Sequence, residues 1–382
     1  MAGHPTPTQA RRIFLAGAAA TMALLAGCAT APSGPLPPIA LPGGNGPPLP
    51  DAPRNVVAVV VPLTGAEAGI GQSIANAAKL ALIDSGERSL RLTVYDSEGP
   101  GGAAGATQRA LAAGSGLILG PLLAADVRAA APVARRSGVP LIAFSNDEAV
   151  AGGGVYIMGF TPDQSIGRAV DYVRGKGGAR FGALVPSGLY GQRATAALMA
   201  AVKDAGGRVG AIETFDRSAT SARAAAGRLN AKGPFDAVLV GDSGRIAGLV
   251  APSVHGGRIV GTELWASDHG LGAIPALRGA IYAAAPDDRF NQLATRYRAQ
   301  YGRAPFRLAS LGYDAVLLAV RSAKGWASGR PFPARTLVDP DGFSGVDGNF
   351  RFGRGGVAER LLEVRQVTAA GTVVVAKAET RF

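Results

Sequence analysis

Val56-Val57-Ala58-Val59-Val60-Val61, followed at once by Pro62-Leu63-Thr64-Gly65 and then by Gly71-Gln72-Ser73, decides how this chain folds. Six apolar residues in a row, nearly all β-branched, fit a strand that is covered on both faces. Beyond the turn residues, Ile74, Ala77, Ala78, Ala81 and Leu82 recur on one face of a helix. A buried strand feeding an amphipathic helix is the repeating unit of a parallel sheet with helices on both sides.

The unit recurs downstream. Leu90 to Tyr95 reads as a strand with Leu90, Leu92 and Val94 alternating, Leu117-Ile118-Leu119 as a third, and Pro140-Leu141-Ile142-Ala143-Phe144 as a fourth. Val127, Ala130, Ala131 and Ala134 stripe a helix between the last two. A second run follows the same plan. Phe181 to Val185, Val209 to Phe215, Ala237 to Val240 and Ile259-Val260 read as strands. Helices striped by Ala194, Ala197, Leu198, Ala201 and Val202, and by Ala222, Ala225, Ala226 and Leu229, lie between them. Two further helices carry Phe290, Leu293, Ala294 and Tyr297, then Tyr313, Val316, Leu317 and Val320. From Phe343 the chain reads as glycine-punctuated β-hairpins. The expectation is an α/β protein of two doubly wound parallel-sheet lobes with a hinge and a cleft between them.

Upstream of the first strand the chain changes character. Arg11 and Arg12 precede an apolar run from Ile13 to Leu25, far shorter than the ~20 residues that span a bilayer. Leu25-Ala26-Gly27-Cys28 closely resembles the bacterial lipobox, which implies a signal peptide over residues 1–27 and a lipid on the Cys28 thiol. Arg11 to Leu15 is also similar to a twin-arginine export motif. Ala29, where an aspartate would retain a lipoprotein at the inner membrane, points to the periplasmic face of the outer membrane. Residues 28–54 are rich in proline and glycine and read as a tether. In polyproline form its ~26 residues, at ~3.1 Å each, reach ~80 Å.

Composition narrows the function. The chain has 382 residues, a formal net charge of +12 (+10 without Arg11 and Arg12) and Cys28 as its only cysteine, so the mature protein holds no intrachain disulfide. The basic residues are scattered arginines without a dense run, which argues against a nucleic-acid partner. With only His255 and His269 left after processing, a metal site of the usual spacing is not expected, and no cofactor is. Gly69-Ile70-Gly71 lacks the third glycine of a dinucleotide fingerprint, since position 74 is Ile74. No Gly-x-Ser-x-Gly elbow occurs. Gly241-Asp242-Ser243-Gly244 is a turn signature first, and the acidic pairs Asp96/Glu98 and Asp287/Asp288 fall at element ends, where solvated carboxylates are common. No catalytic residues are expected.

Several of these stretches together resemble the type 1 periplasmic binding proteins: Val61 to Gly65 with Gly71-Gln72-Ser73, Gly120-Pro121-Leu122, Phe144-Ser145, Phe160-Thr161-Pro162-Asp163-Gln164, Leu189-Tyr190-Gly191, and Gly345 to Phe352. The resemblance covers almost everything after residue 54. It implies lobe one over 55–160 plus 284–335, lobe two over 161–283 plus 336–382, and a ligand cleft at three crossings. Its implied cleft residues are Thr64, Leu122, Leu123, Ala124, Ser145, Asn146, Asp147, Tyr190, Asp242, Ser243, Glu263 and Trp265. The family reads an amino acid carboxylate with a serine and a threonine. Ala124 and Asp147 stand at those places, and an ionised Asp147 would repel a carboxylate. Glu263 matches the family's ammonium-binding acid, beside Trp265, and Tyr190 its cleft-mouth tyrosine.

Two functions follow from the resemblance. The lipobox, Ala29, the tether and Gly120 to Leu123 look more like the penicillin-binding-protein activators, lipoproteins that dock on a peptidoglycan synthase. The alternative is the solute-binding component of an ABC importer for branched-chain amino acids or amides, with a permease as partner. A sensor for a membrane receptor is a third class.

Overall fold

The computed structural model describes Met1 and residues 54–382; apart from Met1 and Arg54, the expected signal peptide, Cys28 and the expected tether lie outside the described residues. The deciding stretch forms β1 (Asn55–Val61), every residue of it buried. It is followed by α1 (Ala68–Ser85), β2 (Leu90–Asp96), α2 (Gly102–Ala112), β3 (Ser115–Leu119), α3 (Ala124–Arg136), β4 (Leu141–Ala143) and β5 (Val155–Ile157). The five strands pair in parallel in the order β2-β1-β3-β4-β5. A parallel sheet must be covered on both faces, and this one is: α2 and α3 seal one side against Ala58, Val60 and Ile118, while α1 packs on the other against Val57, Val59 and Leu117.

The chain crosses at 158–161 into the second lobe. There α4 (Pro162–Gly175), β6 (Arg180–Pro186), α5 (Leu189–Asp204), β7 (Arg208–Phe215), α6 (Ala219–Asn230), β8 (Ala237–Val240), α7 (Gly244–Val250), β9 (Arg258–Val260) and β10 (Ile281–Ala284) follow. The order β7-β6-β8-β9-β10 repeats that of lobe one. The repetition reaches individual residues. β1 runs into Pro62 and β6 ends at Pro186, and each is followed by a glycine at the start of the next helix. A Cβ at Gly71 would lie 1.7 Å from the Pro62 carbonyl oxygen, and one at Gly191 1.8 Å from that of Pro186. Gly71, weighed above as part of a nucleotide fingerprint, is there so that α1 can close onto the end of β1.

The second crossing returns the chain to lobe one as α8 (Asp288–Tyr301) and α9 (Ala309–Ala323). Leu311, Ala315 and Val316 of α9 join the lobe-one core. The remaining strands are β11 (Phe343–Gly345), β12 (Gly348–Phe352), β13 (Ala358–Arg360), β14 (Glu363–Thr368) and β15 (Gly371–Ala376). Here the structure corrects the expected boundary at residue 336. β11, β12 and β13 form a small antiparallel sheet whose Phe343, Phe350, Phe352 and Ala358 are buried in the lobe-one core. Phe352 meets Tyr156 edge-on, and the Ile157 amide donates to the Gly356 carbonyl, so this sheet seals the β5 edge. Only β14 and β15 join lobe two, antiparallel beside β10. The third crossing therefore falls after Arg360.

Candidate functional site

The carboxyl ends of both parallel sheets face one cleft, the place where open α/β sheets bind ligands. A cavity of about 520 Å³ lies there. Its wall draws on the loops after β1, β3, β4 and β9, on the end of β10, and on all three crossings. Such a volume suits a small organic molecule. Most of the wall is apolar: Ile70, Leu122, Leu123, Phe144, Phe160, Leu264, Leu308 and Leu362. Polar residues make up the rest of the wall, and two groups of them are tied together by hydrogen bonds.

One group surrounds Glu263. Ser165 Oγ donates to its Oε2 at 2.6 Å, and the Tyr190 hydroxyl donates to its Oε1 at 2.8 Å while also contacting Thr262 Oγ1 at 2.9 Å. Burial raises the pKa of Glu263, although both hydrogen bonds favour its charged form. Burial first, and the neighbouring Glu263 second, push Tyr190 well above the ordinary tyrosine value, so its hydroxyl keeps its proton and acts as a donor.

The other group sits at the crossings. Arg307 and Arg360 line the cavity, and each is nearly fully buried. Arg307 Nη1 donates to Asp347 Oδ1 at 2.5 Å and to Ser310 Oγ at 3.0 Å. Its guanidinium lies over the rings of Phe290 and Phe160. Arg360 Nη2 donates to the Met158 carbonyl at 2.6 Å, tying the third crossing to the first, and its guanidinium lies over Phe160 and Phe350. Gln164 clamps the same strand, accepting from the Arg360 amide and donating to the Ala358 carbonyl. Asp314 stands behind, accepting the amides of Val346 and Asp347. Burial, with the neighbouring Asp347 second, raises its pKa to about 7.

The cleft residues implied by the resemblance divide. Leu122, Leu123, Asn146 and Glu263 lie in the cavity wall, and Tyr190 stands behind Glu263. The others do not line it. Thr64 is exposed and donates to Asp96. Ala124 begins α3. Ser145 is buried, its Oγ accepting the Asp147 amide. Asp242 is held by Arg217 at 2.6 Å, and Ser243 caps α7 through the Ile246 amide. Trp265 is fully buried against Tyr282 and donates to the Asp242 carbonyl at 2.9 Å. Trp265, Asp242 and Ser243 hold the turn after β8 in place.

Asp147 needs a firmer correction. It is fully buried, caps the following turn through the Ala149 amide, and is neutralised twice: by Arg128 at 2.7 Å and by Arg193 at 2.5 Å. Arg193 comes from α5 in lobe two, so this ion pair spans the two lobes. The repulsion expected of Asp147 toward a carboxylate is thereby removed, and its charge serves to hold the lobes together. Sequence reasoning missed Arg307, Arg360, Phe160, Gln164 and Ser165 as cavity residues. Phe160 and Gln164 stood in a motif it quoted, but nothing marked the two arginines.

Two α/β lobes joined by three crossings around a lined cavity define a hinged binding protein. The chain belongs to the periplasmic binding protein family, whose sequence profile matches residues 56–372. Its fold is similar to that of a leucine-binding protein from Thermotoga maritima (21% identity, 85% of this chain and 99% of that one, TM-score 0.64). It is similar also to a putative branched-chain amino acid ABC transporter protein from Rhodospirillum rubrum (19% identity, 84% and 100%, TM-score 0.73). A third is a solute-binding protein of an ABC transporter from Rhodopseudomonas palustris, in complex with 3,4-dihydroxybenzoic acid (19%, 86% and 98%, TM-score 0.66). Among curated proteins, an uncharacterised protein of Rickettsia prowazekii is 26% identical over 136 residues, and the match spans 36% of its length.

Proposed function

We propose that this protein is a non-catalytic, periplasmic solute-binding component of an ABC importer, taking a small organic molecule into the cleft between its lobes. The observation that carries the reading is the cavity of about 520 Å³, apolar along most of its wall and polar along the rest. Solved structures of similar fold include solute-binding proteins described with leucine, benzoate or 3,4-dihydroxybenzoic acid. The competing reading, docking on a peptidoglycan synthase, drew in part on Asp147, whose charge would repel a ligand carboxylate. The pairing of Asp147 with Arg128 and Arg193 takes away that argument. What remains for it is Ala124, Gly120 to Leu123, the lipobox, Ala29 and the tether, of which the lipid anchor and tether alone are equally compatible with an importer component.

The test is a thermal-shift screen on refolded, ligand-free protein with amino acids, amides and organic acids. A ligand at 100 times its Kd stabilises the native state by about 2.7 kcal/mol, which raises Tm measurably. If no small molecule shifts Tm, and a pull-down from detergent extracts enriches a peptidoglycan synthase and no permease, the importer reading is wrong.

A further inference from the structure

We infer that the cleft selects an apolar monocarboxylate, its carboxylate read by Arg360 and Arg307 at the crossings. The inference rests on the cleft-binding reading above and adds the class of ligand. Arg360 lines the cavity, yet among the described residues only one of its five N–H donors, on Nη2, has a hydrogen-bonding acceptor; Nε and Nη1 are buried without a partner there. Arg307 Nε is likewise unpartnered, the nearest acid oxygen, Asp287 Oδ1, being 3.9 Å away. A buried guanidinium with unfilled donors is costly unless something supplies acceptors. The acids behind do not fill the deficit. Asp347 uses Oδ1 on Arg307 and leaves Oδ2 buried without a bond to either arginine, and Asp314 spends both oxygens on the amides of Val346 and Asp347. A carboxylate is the planar acceptor that suits a guanidinium fork.

The body of the ligand follows from the rest of the wall. Phe144, Phe160, Leu122, Leu264 and Leu308 offer apolar and aromatic surface. Two acids also line the wall, Glu67 and Glu263, the latter accepting from Ser165 on one oxygen and from Tyr190 on the other.

Two isosteric probes test this on wild-type, refolded protein by calorimetry: 3-phenylpropanoate and 3-phenylpropanamide. A second pair, 4-methylpentanoate and 4-methylpentanamide, repeats the comparison with a branched aliphatic body. The carboxylate should bind at least roughly 10-fold more tightly than its amide, the ratio expected of one charge-assisted hydrogen bond. Arg360→Gln and Arg307→Gln should each bring the carboxylate-to-amide ratio towards one. Equal binding of acid and amide, or an unchanged ratio in both variants, overturns the inference while leaving cleft binding intact. No binding by any probe, together with no hit in the wider screen, overturns the cleft reading itself. The wild-type comparison stands even if a variant fails to fold.

Discussion

Replacing Arg193 with alanine removes the ion pair that joins lobe two to Asp147 in lobe one. The size of the effect lies between two limits. An exposed pair is worth about 0.2–1 kcal/mol, whereas taking one partner from a buried pair costs about 3–5 kcal/mol. Asp147 is buried and Arg193 is 21% exposed, but Arg128 still neutralises the acid from its own lobe at 2.7 Å. A loss of about 1–2 kcal/mol follows, which at ~1.4 kcal/mol per decade is a roughly 5- to 30-fold fall in the ratio of closed to open forms. Small-angle scattering of ligand-free protein should report a larger radius of gyration for the variant. Hydrogen exchange should rise at the start of α5 and around Asp147. The difference should persist at 0.5 M salt, because a buried carboxylate is poorly screened. Identical scattering and exchange in both proteins would refute the role given to this pair. So would a fall in urea midpoint as large as that of a core truncation, which would mean that Arg193 holds the fold and not the lobes.

Asp314→Asn should flatten the pH dependence of stability. The Asp314 pKa rises from about 3.9 in the unfolded chain to about 7 in the folded one. Between those values the native state keeps a proton that the unfolded state releases, so this contribution falls as pH rises from about 4 to 7 and is level above that. Urea midpoints at pH 5 and pH 8 should differ less in the variant than in the wild type; an equal difference counts against it. Gly71→Ala should lower stability by about 1–3 kcal/mol, because the new Cβ would sit 1.7 Å from the Pro62 carbonyl and force α1 away from β1. Gly167→Ala in α4, with nothing within 4 Å of the new Cβ, should instead stabilise by about 0.5–1 kcal/mol, and chemical denaturation separates the two. Cys28→Ser should leave an uncleaved, unlipidated precursor, detectable by intact mass, because the hydroxyl is far less nucleophilic than a thiolate. A normally processed variant would refute the lipobox reading.

The two-lobed fold was legible because its signals are local. A β-branched run such as Val56–Val61 and a stripe such as Ala194, Ala197, Leu198 and Val202 state their burial in the order of residues alone. β5 escaped notice because Val155–Ile157 directly follows Gly152-Gly153-Gly154, which reads as a loop. The third crossing was misplaced for a different reason. β12 alternates like any surface hairpin, and only the tertiary structure tells that Phe350 and Phe352 enter lobe one. The site divides in the same way. Leu122, Leu123, Asn146 and Glu263 follow strand ends, which sequence can locate. Arg307 and Arg360 are two among 39 basic residues, and their burial arises from contacts between segments far apart in the chain. The partners of Asp147 were hidden likewise, since Arg193 reaches it from the other lobe.

Arg360 stands on the third crossing and is bonded to the first through Met158. When two lobes swing about their crossings, a residue near the axle travels little, while Leu122, Leu123 and Glu263 on the lobes travel far. Under the ligand reading above, the guanidinium is therefore in position before the lobes meet, and capture and retention fall to different residues. The arginine at the axle governs how fast an anion is admitted, and the swinging walls govern how long it stays. Substitutions at the crossings should then act mainly on the association rate constant, and those on the lobe walls mainly on the dissociation rate constant.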